Sequence, residues 1–337
     1  MQNTTLTHNS DFLFLYEAIQ CNPNGDIDQE NKPRMDYDNK INLVTDVRVK
    51  RYIRDFLKIT GHDIFVDMEG ENKVSPDSKL NAVLTRLLAQ PDEMKIVFEN
   101  REDLIAKFNE MEKKAAAKTP TELIKFMQKS KDSGEVNRFL LAYLVKQKFI
   151  DIRFFGSAFA IEGFTKSYIG PIQLNWGYSL HKVEIMDSSS IVTIMNDGNS
   201  TIGKDYRVHY SLLAFVGTMN KYAAIGTGLT DQDVEDFRKA LWESIPALPT
   251  RSKMNQYPKI YVEVVYNEGF QNGYFGDLRQ HISCKPIDGL DEKQVRKITD
   301  LTLDFGPLKK LLAENTGAGK PIYEVKIRKA EGISFAL

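Results

Sequence analysis

Four carboxylates crowd one punctuated stretch of the chain: Asp26, Asp28, Asp36 and Asp38, with Pro23, Gly25 and Pro33 interrupting regular structure. Carboxylates spaced in this way suit a hard cation such as Mg²⁺, which takes oxygen ligands. The EF-hand pattern fails, because position six counted from Asp26 is Asn31 rather than Gly and position twelve is Tyr37 rather than Glu. A turn-rich loop in which Asn and Asp side chains satisfy backbone groups accounts for the same residues. The five histidines (His8, His62, His181, His209, His281) lack metal-ligand spacing, and the two cysteines, Cys21 and Cys284, lie far apart. No zinc site and no disulfide framework are expected from such a set. The nucleophile elbow G-x-S-x-G is absent, and so is the phosphate loop G-x-x-x-x-G-K-[ST]. Gly203-Lys204 is followed by Asp, and Gly319-Lys320 by Pro. The usual enzyme signatures are therefore absent, which weakens the case for catalysis and leaves the loop carboxylates open to either reading.

Cations give the other pattern. Between Lys32 and Lys58 stand eight basic residues (Lys32, Arg34, Lys40, Arg48, Lys50, Arg51, Arg54, Lys58) against four acids (Asp36, Asp38, Asp46, Asp55). On a helical wheel Lys50, Arg51, Arg54 and Lys58 share roughly a quarter to a third of the circumference, beside an apolar arc of Val49, Tyr52, Ile53, Phe56 and Leu57. Lys50 and Arg54 are four residues apart, so both can follow one phosphate backbone. A solvated helix face paired with local acids fits the same spacing, since charge runs commonly face water. Further on, DSSSIVTIMNDGNSTIGKD (187–205) reads as a long hairpin. It carries Ile191, Ile194, Met195 and Ile202, with Lys204 and Arg207 close by. Such a projection could wedge between bases, dock on a neighbouring subunit, or be an ordinary surface hairpin.

The elements that must position these residues follow from periodicity. Residues 11–20 (DFLFLYEAIQ) read as a buried strand, and 42–58 as a helix. Residues 60–90 read as short strands and turns. Residues 91–148 are rich in Lys, Glu, Ala and Leu and read as charged amphipathic helices, with breaks near Thr119-Pro120 and Ser133-Gly134. Strands return at 150–161, 170–186 and 206–219. A second helix is predicted over 231–245, with Thr230 as N-cap and Asp233 three residues on, and then a strand over 259–267. The tail, 286–337, holds an amphipathic helix and a terminal strand. Stripped of insertions the order is strand, helix, strand, strand, helix, strand, the ferredoxin-like or RNA-recognition arrangement. At 337 residues one decorated domain or two domains are open. The 45 Lys+Arg against 46 Asp+Glu leave a net charge of -1, so any nucleic-acid footprint must be local. The N-terminus lacks a signal-peptide pattern and no apolar run reaches membrane-spanning length, so a cytoplasmic location is expected.

Five ordered blocks point to a family. They are N-P-N-G-D-x-D-x-x-N-x-P-R-x-D (Asn22 to Asp36) with L-V-T-D-V-R-V-K-R-Y-I-R (Leu43 to Arg54), D-I-R-F-F-G-S-A (Asp151 to Ala158), G-P-I-Q-L-N-W-G-Y-S-L-H (Gly170 to His181) and D-Y-R-V-H-Y-S-L (Asp205 to Leu212). The chain resembles the backbone subunit of type I CRISPR surveillance complexes, the Cas-seven group of the RAMP superfamily, and most nearly its type I-B form. The resemblance implies an α+β right-hand architecture. A modified RRM/ferredoxin-like palm would take 1–74, 149–186 and 209–285. Helical fingers would occupy 75–148, a β-hairpin thumb 187–208, and a helix and strand packing on the palm 286–337.

What the resemblance implies about function is a non-catalytic scaffold for antiviral defence. Copies would stack as a helical filament along the CRISPR guide RNA and present it to target DNA, beside guide-end caps and the large and small Cascade subunits. Lys50 and Arg54 fall where the family contacts the guide backbone, with Arg34 and Arg51 as further candidates. Gly156 and Ser157 match the family's F-G turn, where a small residue lets the backbone approach RNA closely. Some relatives have Arg where Ser157 stands. Met195, Ile202, Lys204 and Arg207 belong to the thumb segment. The competing expectation is a metal-dependent endoribonuclease of the type III kind, using Asp26, Asp28 or Asp36. A protein adaptor that binds no nucleic acid is a third.

Overall fold

The structure is a computed structural model, and it describes residues 4–69, 72–73, 75–99, 101–117, 119–129, 134–161, 164–187, 190–194 and 200–335. The chain begins with β1 (Ser10–Cys21), β2 (Met35–Asp36), β3 (Ile41–Val44) and helix α1 (Asp46–Ile59). Five helices follow: α2 (Pro76–Leu88), α3 (Pro91–Val97), α4 (Glu102–Ala115), α5 (Pro120–Lys129) and α6 (Gly134–Lys148). Next come α7 (Ile150–Phe155), β4 (Gly156–Ile161), β5 (Phe164–Ile169), β6 (Ile172–Leu174) and β7 (Gly177–Ser179). The strands β8 (Ser190–Ile194), β9 (Ser200–Lys204) and β10 (Val208–Met219) lead into α8 (Lys221–Thr227) and α9 (Asp231–Ala247). The chain closes with β11 (Gln256–Tyr266), β12 (Ser283–Pro286), β13 (Leu301–Asp304), α10 (Gly306–Asn315) and β14 (Ile322–Lys329).

These elements form two compact units. One comprises Leu6–Phe56, Ile172–Lys221 and Val234–Leu337; the other comprises Met1–Thr5, Leu57–Pro171 and Tyr222–Asp233. The first, the sheet unit, is built on an eight-stranded antiparallel sheet in the order β14-β11-β1-β10-β7-β3-β2, with β6 also pairing with β10. β1 lies between β10 (Ser10 opposite Met219) and β11 (Ser10 opposite Val265). Its first nine residues are all buried, because both faces of the central strand are covered. On one face Leu13 and Leu15 join Ile260, Val262, Val264, Leu308 and Leu312 in a core cluster. On the other, Phe12 meets Phe237 of α9 at 5.8 Å between ring centroids, and Phe14 meets Trp242. Fully burying side chains of this size contributes about 1.5–3 kcal/mol each, which makes β1 the anchor of the unit.

The helical unit has its own core, in which Leu80, Leu84, Met127, Val136, Leu140 and Leu144 are at most 0% exposed. The breaks expected near Thr119-Pro120 and Ser133-Gly134 fall at the starts of α5 and α6. Among the described residues no helix is long and apolar enough to cross a membrane.

Four expectations on elements need correction. Residues 42–44 belong to a strand (Ile41–Val44), not to the start of α1: burial alternates along it, and Leu43 and Val44 pair with β7. Thr45 then caps the helix, its Oγ1 accepting from Arg48 N at 3.3 Å. Residues 150–155 are a helix although Ile, Phe and Ile favour strands. Tertiary bonds decide here, since the buried Asp151 carboxylate accepts from Phe65 N at 2.8 Å and Val66 N at 3.1 Å. Residues 76–88 are a helix rather than strands and turns, capped by Ser75 and opened by Pro76. The 170–186 segment holds two short strands instead of one, broken at Asn175 and Trp176. The Thr230–Asp233 box forms as read: Asp233 N donates to Thr230 Oγ1 at 3.1 Å, and Thr230 N to Asp233 Oδ2 at 3.0 Å.

Candidate nucleic-acid interface

The loop after β1 is a compact knot of side-chain-to-backbone bonds. Gly25 and Asp26 pair with Pro33 and Lys32, and Asn22 Nδ2 donates to Asn31 O at 2.7 Å. Asn24 Oδ1 accepts from both Thr45 N and Thr45 Oγ1 at 2.9 Å, tying the loop to the start of α1. The carboxylates are employed locally. Asp26 caps a short 3-10 turn at Asp28 N and pairs with Arg34 Nη2 at 3.1 Å, while Asp36 accepts from the Asn39 amide. Among the described residues no three His, Cys, Asp or Glu side chains are grouped to hold a metal ion. The histidines His8, His181 and His281 bond to backbone carbonyls, and both cysteines are free.

Helix α1 buries the expected arc: Val49, Tyr52, Ile53, Phe56 and Leu57 are at most 8% exposed. Its cations lie beside that arc, and two are matched one turn away. Lys50 Nζ sits 2.8 Å from Asp46, with its side chain 14% exposed, and Arg51 pairs with Asp55. Arg48 lies over the Tyr52 ring at 4.0 Å. Arg34 lies over the Trp176 ring at 5.6 Å, and its buried Nε has no hydrogen-bond partner among the described residues. Arg54 is half-buried on the same helix.

The base of the β8–β9 hairpin completes the site. Lys204 Nζ contacts Glu30 at 2.9 Å, and Tyr206 OH donates to the same carboxylate at 3.0 Å. Arg207 donates to Asp205 at 2.8 Å and to Gln20 O at 3.1 Å. Arg251 shares Asp205 at 3.4 Å. Lys253 Nζ donates to Asn22 O. Burial, reinforced by the neighbouring Arg48 charge, pushes the Lys253 ammonium down to about 8. Burial also pushes the adjacent Cys21 thiol up to about 12, so that thiol stays protonated at neutral pH.

The sheet unit thus gathers Arg34, Lys204, Arg207 and the first turns of α1 around one loop. Lys32 and Arg48, counted above only within the basic run, join them, as do Tyr206, Arg251 and Lys253. Arg251 and Lys253 lie between the predicted helix 231–245 and strand 259–267, in a stretch that periodicity does not order, and basic type was their only signal. Gly156 and Ser157 belong to the helical unit. Gly156 closes α7 with φ 68° and ψ -179°, and an added Cβ would stand 2.1 Å from Tyr168 O. Tight backbone packing is by itself a sufficient reason for that glycine. Ile202 lies in β9 with its backbone opposite Val192, and Met195 lies outside the described residues.

Fold and site together define an antiparallel α/β protein with a lysine-, arginine- and tyrosine-rich cluster at one end of its sheet. A family model described as "CRISPR-associated protein Cas7" matches residues 8–306, and the chain belongs to that family. It is 28% identical over 327 residues to "CRISPR-associated protein Cas7" of Haloferax volcanii, covering 90% of this chain and 82% of that one. Among solved structures it is similar to a chain of "CRISPR RNA-guided surveillance complex, pre-nicking" with a TM-score of 0.44 and 15% identity, covering 77% of this chain and 79% of that one. A chain of "CRISPR RNA-guided surveillance complex" gives a TM-score of 0.39 and 11% identity over 79% and 72% of the two chains.

Proposed function

We propose that this chain is a non-catalytic guide-RNA-binding backbone subunit of a type I CRISPR surveillance complex. In this reading copies stack as a filament along the guide, present it to target DNA, and meet guide-end caps and large and small subunits in the cytoplasm. The observation that carries the reading is the convergence of Lys32, Arg34, Lys204, Arg207 and Arg251 with Tyr206 and the start of α1 around a single loop. Cations with an aromatic among them suit phosphates and base faces, which every guide sequence offers. A net charge of -1 agrees, since a uniformly basic chain would repel its own copies. The sheet supports the palm: with β11, β1, β10 and β7 adjacent in that order, α1 and α9 occupy the two crossovers of a ferredoxin-like plan. The helices between 75 and 148 take the part of fingers and the β8–β9 hairpin that of the thumb.

The test is the nucleic acid carried by the protein purified with and without a CRISPR array, followed by binding of the Lys50→Ala/Arg54→Ala variant. RNA of defined length that is stable in Mg²⁺ is expected to copurify. The variant should bind all sequences more weakly, its salt slope falling by about 0.7 per lost phosphate contact. Protein free of nucleic acid in both preparations, or an unchanged slope, would overturn the assignment of this surface. RNA that shortens in Mg²⁺ with wild type but survives with Asp26→Ala would favour the endoribonuclease instead.

A further inference from the structure

We propose that the Glu30 carboxylate is an internal stand-in for an RNA phosphate, occupying an anion site formed by Lys204, Tyr206 and Lys32 that a phosphodiester of the bound strand takes over. The inference rests on the RNA-binding reading above and assigns this corner of the surface a ligand and an internal competitor.

The geometry is that of an anion site already filled. Lys204 Nζ at 2.9 Å and Tyr206 OH at 3.0 Å converge on one oxygen, Glu30 Oε2. Lys32 Nζ lies over the Tyr206 ring at 5.1 Å and adds a second positive charge beside the carboxylate. Glu30 on the loop and Lys204 at the end of β9 are 174 residues apart, so this is no incidental neighbour pairing of one helix. A carboxylate and a phosphodiester each carry one negative charge shared by two acceptor oxygens, and a donor set that fits one fits the other. The loop aims Glu30 at this place: Glu30 and Asn31 both take left-handed backbone angles, φ 53° and 59°. That conformation is uncommon for residues other than glycine, and it is held by Asn31 N donating to Asp26 O at 2.8 Å and by Asn22 Nδ2 donating to Asn31 O.

Exposure makes the exchange feasible. The Lys204 and Glu30 side chains are 54% and 61% exposed, and a water-screened pair opens easily when a polyanion brings many phosphates at once. The hydrogen bond from Lys204 holds the Glu30 carboxyl below its ordinary range, so it is ionised near neutrality and masks a cation in the free protein. Such a mask would restrain adventitious binding of short anions while yielding to a long guide.

Binding of a labelled single-stranded RNA to the full chain tests this, using Glu30→Gln, Lys204→Met and the double variant. Asp28→Asn serves as a control on the same loop. Glu30→Gln should tighten binding about two- to fivefold, as expected for freeing an exposed ion-pair partner. That gain should vanish when Lys204 is Met, whereas any effect of Asp28→Asn should persist in that background. A gain that survives without Lys204, or no gain at all, would overturn the exchange while leaving RNA binding intact. Failure of wild type to bind RNA would remove the functional reading and this inference together.

Discussion

Replacing Gly156 with Ala distinguishes a glycine kept for close approach of RNA from one kept for the fold. Gly156 opens β4 opposite Ile169, at φ 68° and ψ -179°, a region essentially reserved for glycine. An alanine Cβ would lie 2.1 Å from Tyr168 O, 2.5 Å from Gly170 N and 3.0 Å from Ile169 C. All three are backbone atoms of the paired strand β5 or of the residue just after it, and cannot rotate aside. Backbone strain of about 1–3 kcal/mol and overpacking of about 1–3 kcal/mol sum to roughly 2–6 kcal/mol. At roughly 2–4 °C per kcal/mol for a domain of this size, the RNA-free protein should melt about 4–24 °C lower. The assay is thermal unfolding followed by circular dichroism without RNA, beside RNA binding well below the midpoint. The reasoning is refuted if Gly156→Ala melts with wild type yet loses RNA affinity, because the glycine would then serve the ligand rather than the chain.

Two further perturbations probe charge in the sheet unit. Arg238 grips the buried Glu263 carboxylate at 2.7 and 2.8 Å, so Arg238→Ala should cost about 3–5 kcal/mol by stranding that charge. Burial works to raise the Glu263 carboxyl, but the Arg238 and Tyr261 bonds outweigh it and hold it below its ordinary value. The pair therefore stabilises the fold above the unfolded carboxyl pKa of about 4.3 and fades as pH falls through the lower folded value. Urea midpoints of wild type and variant should converge on acidification, and parallel curves would count against the pair. Lys253, pushed down to about 8 by burial, sheds its proton in the folded state before the unfolded chain does at about 10.4. Between those values the unfolded state binds more protons, so stability should rise with pH by up to about 1.4 kcal/mol per unit from this group. Lys253→Met should flatten that part of the curve, and an unchanged slope would assign it to another group.

Much of the sheet unit was legible in the residues, for identifiable reasons. The aromatic-rich apolar run within 11–20 read as a buried strand, and it is β1. The 3.6-residue spacing of Val49, Ile53 and Phe56 set α1, and the Thr230–Asp233 box set the start of α9. These signals are local, carried by side chains within a turn or two of each other. The stripe Lys50, Arg51, Arg54 was legible as a stripe. That Lys50 and Arg51 lie against Asp46 and Asp55 followed from i,i+4 spacing once the helix began at Asp46.

Other features depended on partners remote in sequence. Residues 41–44 became a strand because β7 offered an edge, and 150–155 a helix because Asp151 found the Phe65 and Val66 amides. The site itself is of this kind. Glu30 meets Lys204, Arg207 meets Gln20, and Lys253 meets Asn22, each across well over a hundred residues. Sequence alone determined that cations and aromatics were present and that a helix would display some of them. Only tertiary structure decided which share a surface, because the antiparallel sheet folds the ends of β1, β10 and β11 together, and hydrophobic periodicity carries no information about loop ends brought together in this way.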